Sequence, residues 1–211
     1  MDFEQLLLLA PPILLALTFH EFTHAYVANR FGDDTAKRSG RLTMNPLAHL
    51  DPLGTIMIFI VHFGWAKPVP VNPYNLKNPK QDMLWISAAG PLSNMLLALL
   101  SGLLLRFVNT MDIALQPNSV IEIFIIMIVL SLKINLALAI FNIIPIAPLD
   151  GSKILYGILP ARFGKHMHLL ERYGPIVLIG LIISSQFTGF SILGQLIWPF
   201  VDFFSKLFAG V

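Results

Sequence analysis

Four long apolar stretches separated by polar segments dominate the sequence. They cover approximately residues 3–28, 83–105, 120–144 and 175–201, and each is long enough to cross about 30 Å of hydrocarbon as a helix. An apolar run at residues 53–63 is too short to cross and is rich in β-branched and aromatic side chains. The pattern therefore predicts an all-α polytopic membrane protein with about four transmembrane helices.

The segment around the short apolar run differs from the four long stretches. Prolines at positions 68, 70 and 73 follow the run and forbid a helix there. We interpret residues 52–71 as a re-entrant β-hairpin or loop that enters the membrane and returns to the same side. Because non-helical backbone at that depth is tolerated only against protein or a wet cavity, we expect it to face a pocket. The alternative is an interfacial loop without a catalytic role.

The composition is typical of a membrane protein without a large soluble part. Of the 211 residues, 55% are hydrophobic and 12% are charged, whereas soluble domains contain about 25% charged residues. We therefore expect one membrane-embedded domain over residues 1–211. Cysteine is absent, which excludes disulfides and thiolate metal ligands. The net charge of +2 is mild, and we expect contact with membrane lipid and no nucleic-acid partner.

Lysine and arginine are distributed unevenly between the two sides of the predicted bundle. Seven lie between the first two spans, namely Arg30, Lys37, Arg38, Arg41, Lys67, Lys77 and Lys80. Four more lie between the third span and the last one, namely Lys153, Arg162, Lys165 and Arg172. The opposite side has only Arg106 and Lys206. Since positively charged loops face the cytoplasm, we expect a multi-pass cell-membrane protein with cytoplasmic basic segments and both termini outside.

The last third of the first span contains the motif His20-Glu21-Phe22-Thr23-His24. Histidines at positions i and i+4 lie on one helix face, one turn apart, so both imidazoles can bind one metal ion. The glutamate beside the first histidine then lies close enough to take a proton from a water molecule at that metal. Two solvated surface histidines are the alternative, but this helix lies in the membrane, where ionisable side chains are candidates for function.

A catalytic zinc ion usually has three protein ligands and one open position, so His20 and His24 need a partner. The candidates are Asp150, Asp51, Asp33, Asp34, Glu122 and the other histidines. The other three aspartates lie in the basic loop, and Glu122 lies at the opposite face of the membrane. Asp150 follows the third span at the depth of the histidine pair, and its Asp-Gly sequence is typical of a tight turn that can direct a carboxylate inward. We therefore select Asp150.

Other polar residues have both a functional and a structural interpretation. Asn94, in the second span, could donate a hydrogen bond to a substrate carbonyl, but its spacing favours interhelical hydrogen bonding. His166 and His168 lie among charged residues, so we expect them at the surface rather than at a metal. A ligand set of histidine and carboxylate suits zinc.

Five segments of the chain match motifs of a known family. They are residues 20–24, residues 40–46 (GRLTMNP), residues 64–73, residues 90–94 (GPLSN) and residues 142–151. With these segments the chain resembles the site-2 proteases, which are intramembrane zinc metalloproteases, over nearly its whole length. It looks like their compact prokaryotic form, without the PDZ or CBS module of larger members.

The resemblance implies specific roles for residues of the motifs. It implies that Asp150 is the third ligand of one catalytic Zn²⁺ and that Glu21 is the general base. It also implies that Asn142 and Asn94 act near the scissile carbonyl. The implied substrates are transmembrane proteins. The basic segments indicate that cleavage occurs toward the cytoplasmic side, and a homo-oligomer is a further partner to consider.

Two functional hypotheses remain in view. The first is an intramembrane zinc metalloendopeptidase that hydrolyses peptide bonds within or near transmembrane segments. The alternative is a non-proteolytic zinc-binding membrane protein, such as a carrier or a metal chaperone. Glu21 discriminates between them, because zinc storage needs the ligands but not a base between them. A transporter is also expected to contain internal repeats, and no convincing repeat is present.

Overall fold

The computed structural model describes residues 3–61, 64–111 and 119–210. Its helices are α1 (Phe3–Arg30), α2 (Thr35–Arg38), α3 (Pro52–Val61), α4 (Pro79–Asn109), α5 (Val120–Ile143), α6 (Asp150–Ile158), α7 (Gly164–Thr188) and α8 (Ile192–Ala209). Short 3-10 turns lie at Pro46–Ala48, Pro73–Asn75 and Ala161–Phe163. These ranges contain no β-strand, only an isolated bridge between Leu50 and Ala66. The predicted all-α class is confirmed.

Three of the predicted spans correspond to single helices. α1, α4 and α5 are long and apolar enough to cross a membrane, and α1 continues through its two internal prolines, Pro11 and Pro12. α7 and α8 also meet these criteria, which gives five candidate spans in the described part of the chain. The single span predicted at residues 175–201 is therefore wrong, because two helices occupy this region.

Two local signals separate α7 from α8. Gly189 has a left-handed φ of 67° at the end of α7, a conformation that glycine adopts without the steric cost of a Cβ. The Ser191 hydroxyl then accepts a hydrogen bond from Gly194 N–H at 2.9 Å and caps α8. Because the apolar pattern continues on both sides of this break, hydrophobicity alone merged two helices into one predicted span.

α4 lies at the centre of the bundle, where it packs against α1, α5, α6 and α8. The first buried cluster joins α4 to α5 and α8 and contains Ala98, Leu105, Leu132, Leu136, Val201 and Ala209. A second cluster joins α1 to α4 and contains Ala28, Leu76 and Ile86. A third joins the end of α5 to α7 and contains Ile144, Leu149 and Leu178. Many large apolar side chains on the outer faces are exposed, as expected for a surface that contacts lipid.

Contacts between the helices define their directions. α1 and α4 are antiparallel, since His24 contacts Ile86 whereas Ala16 contacts Asn94. Arg106, in the last turn of α4, donates a hydrogen bond from Nη2 to Leu207 O at 2.6 Å. The C-terminal ends of α4 and α8 therefore lie together. The beginning of α1 and the end of α8 are therefore at the same end of the bundle.

The path of α7 differs from that of the other candidate spans. α6 ends beside the beginning of α4, where Lys80 donates a hydrogen bond to Leu159 O, so α7 starts at that end of the bundle. Leu193, near the start of α8, packs against the third cluster. α7 therefore begins and ends in the half of the bundle that contains the end of α5. The other four, α1, α4, α5 and α8, run from one end of the bundle to the other.

The described residues between 52 and 71 do not form the predicted β-hairpin, because α3 occupies the first half of this segment. Asp51 Oδ1 accepts a hydrogen bond from Gly54 N–H at 2.7 Å, and a proline follows Asp51 at the first helical position. Both features favour the start of a helix. They outweighed the β-branched composition of the apolar run, which is only a weak indicator of strand.

The second half of this segment is extended and returns alongside the chain that precedes α3. We call residues 64–71 the strap. Ala66 forms the bridge with Leu50, and Lys67 N–H donates to His49 O at 2.9 Å. The predicted reversal of the chain is therefore present, with one helical and one extended arm. Residues 62–63 lie outside the described residues.

Asp150 begins a helix and not the predicted tight turn. Two prolines follow α5 and prevent it from continuing, and Leu149 has an extended conformation immediately before α6. Asp150 lies in the first helical turn, where the helix dipole favours a negative charge. The start of α6 packs directly on the end of α5, since a Cβ on Gly151 would lie 2.1 Å from Ile143 O.

Candidate metal centre

His20, His24 and Asp150 meet inside the bundle. Asp150 Oδ2 lies 3.1 Å from His20 Nε2 and 3.2 Å from His24 Nε2. The three residues are buried, with exposed fractions of 6%, 8% and 8%. Ligand atoms bound 2.0–2.1 Å from one tetrahedral zinc ion lie about 3.3 Å apart, which is close to the two observed separations. The three side chains are therefore placed to share one metal ion.

Hydrogen bonds on the far side of each imidazole define its tautomer. His20 Nδ1 lies 2.6 Å from Asn94 Oδ1, and the amide orientation is fixed because Asn94 Nδ2 donates to Ala16 O. His24 Nδ1 lies 2.6 Å from Ile86 O, a carbonyl that can only accept. Both Nδ1 atoms therefore donate a proton, and in the neutral rings both Nε2 atoms carry a lone pair.

The donor set fits a divalent cation. Two imidazole lone pairs and a carboxylate oxygen converge on one point, and without a cation or a proton between them they would repel one another. Histidines whose second nitrogen donates to an amide or carbonyl are typical of metal sites, because this hydrogen bond holds the ring in its ligating orientation. The residues present thus match the requirements of a zinc site.

Gly90 of α4 is part of the centre, although the sequence indicated it only as the first residue of the GPLSN segment. A Cβ at this position would lie 2.5 Å from His24 Nε2 and 2.6 Å from His20 Nε2. The backbone of α4 therefore forms one wall of the centre. A Gly90-Pro91 pair inside a membrane helix, where both residues are unfavourable, was the available signal.

Glu21 lies beside the three ligands and is also buried, with 9% of its surface exposed. Its Oε2 accepts a hydrogen bond from Val69 N–H of the strap at 2.9 Å. Glu21, the three candidate ligands and the strap line the same cavity, which has a volume of about 480 Å³. Most of the lining side chains are apolar and come from α1, α4, α5, α7 and the strap.

The two asparagines are in different positions relative to this cavity. Asn142 lines it and donates one amide hydrogen to Leu138 O at 3.0 Å. Asn94 is fully buried behind His20, and its amide nitrogen donates to Ala16 O at 3.1 Å and to Asn135 Oδ1 at 2.8 Å. Asn94 therefore contacts the candidate ligand His20 and does not line the cavity.

The other acidic candidates for the third ligand have different partners. Asp51 caps α3, and Asp34 pairs with Arg38 at 2.7 Å on the surface. Asp33 is fully buried but accepts hydrogen bonds from the segment at residues 72–75. Glu122 lies in the first turn of α5, at the opposite end of the bundle.

The remaining histidines are also accounted for. His166 and His168 are exposed on α7, as predicted for surface residues. His49 is buried in the basic segment and lies 3.4 Å from Arg41, a contact that the sequence did not indicate. His62 lies outside the described residues.

Comparisons with known proteins identify relatives over nearly the full chain. Residues 108–183 match the model of peptidase family M50. The chain is 39% identical over 207 residues to "Putative zinc metalloprotease YwhC" of Bacillus subtilis, covering 94% of this chain and 90% of that protein. "Putative zinc metalloprotease Rip2" of Mycolicibacterium smegmatis is 26% identical, over 90% of this chain and 71% of the relative. No solved structure matches the chain.

The membrane-length helices and the zinc-type donor set are those of a membrane metalloprotease. The chain belongs to peptidase family M50, the site-2 protease family. It is accordingly a zinc metalloprotease with Zn²⁺ as its cofactor, and a multi-pass membrane protein. The family and the cofactor predicted from the sequence are confirmed.

Proposed function

We propose that this protein is an intramembrane endopeptidase that hydrolyses peptide bonds within or near the transmembrane segments of membrane proteins. The observation that carries this proposal is the position of Glu21. It is buried on the wall of the same cavity as the three ligands, in a helix long enough to cross a bilayer. Burial of a carboxylate beside a zinc site costs free energy. This cost is explained if Glu21 acts as the general base of the hydrolysis.

Three side chains would hold the zinc ion, His20 and His24 through Nε2 and Asp150 through its carboxylate. The hydrogen bonds from the two imidazoles to Asn94 and Ile86 keep the rings in place. A zinc ion held by these residues would supply Lewis-acid chemistry, namely polarisation of the substrate carbonyl and a lower pKa of a nearby water molecule.

Glu21 transfers the protons of the reaction. Its carboxylate accepts a proton from the attacking water and then donates it to the nitrogen of the leaving amine. The hydrogen bond from Val69 N–H engages Oε2, so Oε1 is the oxygen that takes part in proton transfer. General acid–base catalysis of this kind contributes about 10²–10⁴ to the rate.

Asn142 is placed to assist at the substrate carbonyl. It lines the cavity, and one of its two amide hydrogens is donated to Leu138 O. The second hydrogen can be donated to the carbonyl oxygen as negative charge develops there. Asn94 has a different role, since it acts on the orientation of His20.

The substrate must be extended at the site, because a helix hides its carbonyls in internal hydrogen bonds. Ala66 of the strap lines the cavity. Ala66 lies opposite Leu50. The hydrogen bond from Lys67 N–H to His49 O joins the neighbouring pair of residues, so Ala66 and Leu50 form a non-hydrogen-bonded pair. The N–H and C=O of Ala66 therefore point to the other edge of the strap, where an extended substrate can pair. Unchanged cleavage by an Ala66→Pro variant would exclude this pairing.

A zinc carrier or metal chaperone explains fewer features. Such a protein needs His20, His24 and Asp150, but it gives no role to Glu21 or to the lined cavity beside the ligands. The cytoplasmic position of the site rests on the basic segments that flank it, which are expected on the cytoplasmic side.

The test uses purified protein with candidate single-span membrane proteins, with and without a chelator. We expect Glu21→Gln to keep zinc and to reduce cleavage by about 10²-fold or more. We expect Asp150→Ala to lose most of the zinc, and Glu171→Gln, a surface change on α7, to alter neither. Undiminished cleavage by the Glu21→Gln variant would exclude Glu21 as the base.

A further inference from the structure

Arg41 is a buried cation in the basic segment, outside the membrane spans. Only 6% of its surface is exposed. Its guanidinium donates to two consecutive carbonyls of the strap, from Nη2 to Lys67 O and from Nη1 to Pro68 O, the second at 3.3 Å. Arg41 is thus a direct link between the GRLTMNP segment and the strap.

The residue after these two carbonyls is the one that contacts Glu21. Val69 N–H donates to Glu21 Oε2 at 2.9 Å. Three consecutive strap residues therefore connect Arg41 to the proposed base, two through their carbonyls and one through its N–H. Any displacement of Lys67 and Pro68 would also move the N–H that holds the Glu21 carboxylate.

His49 is another neighbour of the Arg41 guanidinium. It is almost fully buried, and its Nε2 donates to Thr43 O at 2.9 Å. Its Nδ1 therefore carries a lone pair, which lies 3.4 Å from Arg41 Nη2 and can accept from it. His49 O also accepts a hydrogen bond from Lys67 N–H at 2.9 Å. His49 therefore contacts both the strap and Arg41.

The chemistry of this position favours arginine. A planar guanidinium can donate to two neighbouring carbonyls at once, whereas a lysine ammonium is a single point of contact. Arg41 Nε has no hydrogen-bond partner among the described residues, which costs free energy in a buried site. Burial lowers the pKa of Arg41 and the nearby charge of Glu21 opposes this shift, so the two charges interact.

We propose, on the basis of the proposed function above, that Arg41 is a positioning residue that clamps the strap so that Val69 N–H holds Glu21 in its catalytic orientation. The zinc ligands do not depend on this clamp, because Asn94, Ile86 and α6 hold them from the other side of the centre. The loss of Arg41 should therefore reduce turnover while leaving zinc bound.

The first experiment compares Arg41→Gln, Arg41→Lys and a matched surface control, Arg38→Gln, which removes only an exposed pair with Asp34. We expect Arg41→Gln to lower kcat by about 10- to 100-fold, as misplacement of a catalytic group does, with zinc affinity and KM within about twofold. Arg41→Lys should recover part of the loss, since it keeps one donor. The control should resemble the wild type.

The second experiment measures the strap directly and needs no substrate. Val69 lies between Pro68 and Pro70. Because proline has no N–H, the amide of Val69 is the only one that exchanges hydrogen within residues 68–70. We expect the Val69 amide to be protected in the zinc-loaded wild type and in Arg38→Gln, and to exchange at least tenfold faster in Arg41→Gln. Absence of cleavage by the wild type would count against the proposed function, whereas this measurement would still test the clamp.

Three results would overturn the inference. The first is a kcat for Arg41→Gln equal to that of Arg38→Gln. The second is an unchanged exchange rate at Val69 in a folded Arg41→Gln variant. The third is a parallel loss of zinc from Arg41→Gln and Arg41→Lys, which would make Arg41 a structural support of the whole centre.

Discussion

The backbone of α4 approaches the two imidazoles so closely that position 90 has no room for a side chain. A Cβ there would lie within 2.6 Å of atoms of both rings, well below ordinary van der Waals contact. The obstacle would be the ligating edge of each ring, and both rings are held on their other edge by Asn94 and Ile86. The rings can therefore move away only if those hydrogen bonds break.

We predict that Gly90→Ala weakens zinc binding by at least tenfold, because the methyl group displaces both ligating nitrogens. Isothermal titration of the metal-free protein with zinc measures this affinity. Gly180→Ala in α7 is the matched control, since a Cβ at that position meets no atom within 4 Å. Equal zinc affinity in the two variants would show that the approach of α4 is looser than described.

At the scale of the elements, a chain of polar contacts crosses α1, α4 and α5 behind the metal centre. His20 binds Asn94, and Asn94 Nδ2 donates to Asn135 Oδ1 at 2.8 Å. Asn135 donates to Ser131 O, also at 2.8 Å, and Ser131 lies 3.0 Å from Ser101 across the helix pair. Both asparagines are fully buried, so these bonds fix the relative position of the three helices.

We predict a graded effect along this chain. Asn94→Leu should weaken zinc binding by about 10- to 100-fold, which is typical for loss of a residue that orients a ligand. Asn135→Leu should have a smaller effect, because it acts on His20 only through Asn94. Ser101→Ala, at the far end, should leave the affinity within about twofold. A larger loss for Asn135→Leu than for Asn94→Leu would contradict this order.

A second connection between elements ties the end of α1 to the segment before α4. The buried Asp33 carboxylate accepts hydrogen bonds from Asn72 N–H at 2.7 Å and Asn75 Nδ2 at 2.8 Å, and from the backbone N–H and hydroxyl of Thr35. Burial raises the pKa of Asp33, but the hydrogen bonds from Thr35, Asn75 and Asn72 outweigh it, and the net pKa is lowered. The charged form therefore stabilises the fold.

We predict that Asp33→Asn lowers the free energy of unfolding by roughly 2 kcal/mol at neutral pH, since it weakens several hydrogen bonds to a charged acceptor. A lowered folded-state pKa stabilises above the unfolded value of about 3.9, and this contribution is lost as the pH falls through the folded pKa. The difference between wild type and variant should thus be constant from pH 7 to 5 and shrink below about pH 4. Thermal unfolding in detergent measures it, with the exposed Asp34→Asn as control.

At the scale of the whole molecule, the directions of the helices distinguish the two ends of the bundle. The metal centre lies toward the end where α1 and α5 finish and α4 begins, near the basic segments. The other end contains the beginning of α1 and the end of α8. Within the described residues, five helices have the length and apolarity of a span. Four of them run between the two ends, which is compatible with both termini on one side.

We predict that Ser39 is reached from the cytoplasm and that Thr110 and Lys206 are reached from outside. Because the chain has no cysteine, single cysteines at these exposed positions can be labelled with an impermeant maleimide in intact cells and in inverted vesicles. Labelling of the Lys206→Cys variant on the same side as Ser39→Cys would show that α7 crosses completely. Reversed labelling of all three variants would place the metal centre on the outer side.

The elements that depend on local signals were predictable to different degrees. α1, α4 and α5 follow from long apolar runs, because the bilayer requires helices of that length. The helix α3 and the break at Gly189 were missed, although Asp51-Pro52 and Gly189 with Ser191 are recognisable caps. In both regions hydrophobicity was given more weight than capping, and the caps decided where the helices begin and end.

The residues of the centre divide in the same way. The proximity of His20, Glu21 and His24 follows from helical spacing within one element, so the sequence alone predicted it. The absence of cysteine also restricted the choice of metal. Asp150 could be selected by depth, but its contact with the pair depends on the packing of α6 on α5. Gly90, Asn94 as the partner of His20, and the clamp of Arg41 on the strap were decided only by the tertiary structure. These contacts join parts of the chain far apart in sequence, and no local pattern encodes which of many polar and small residues meet when the helices pack.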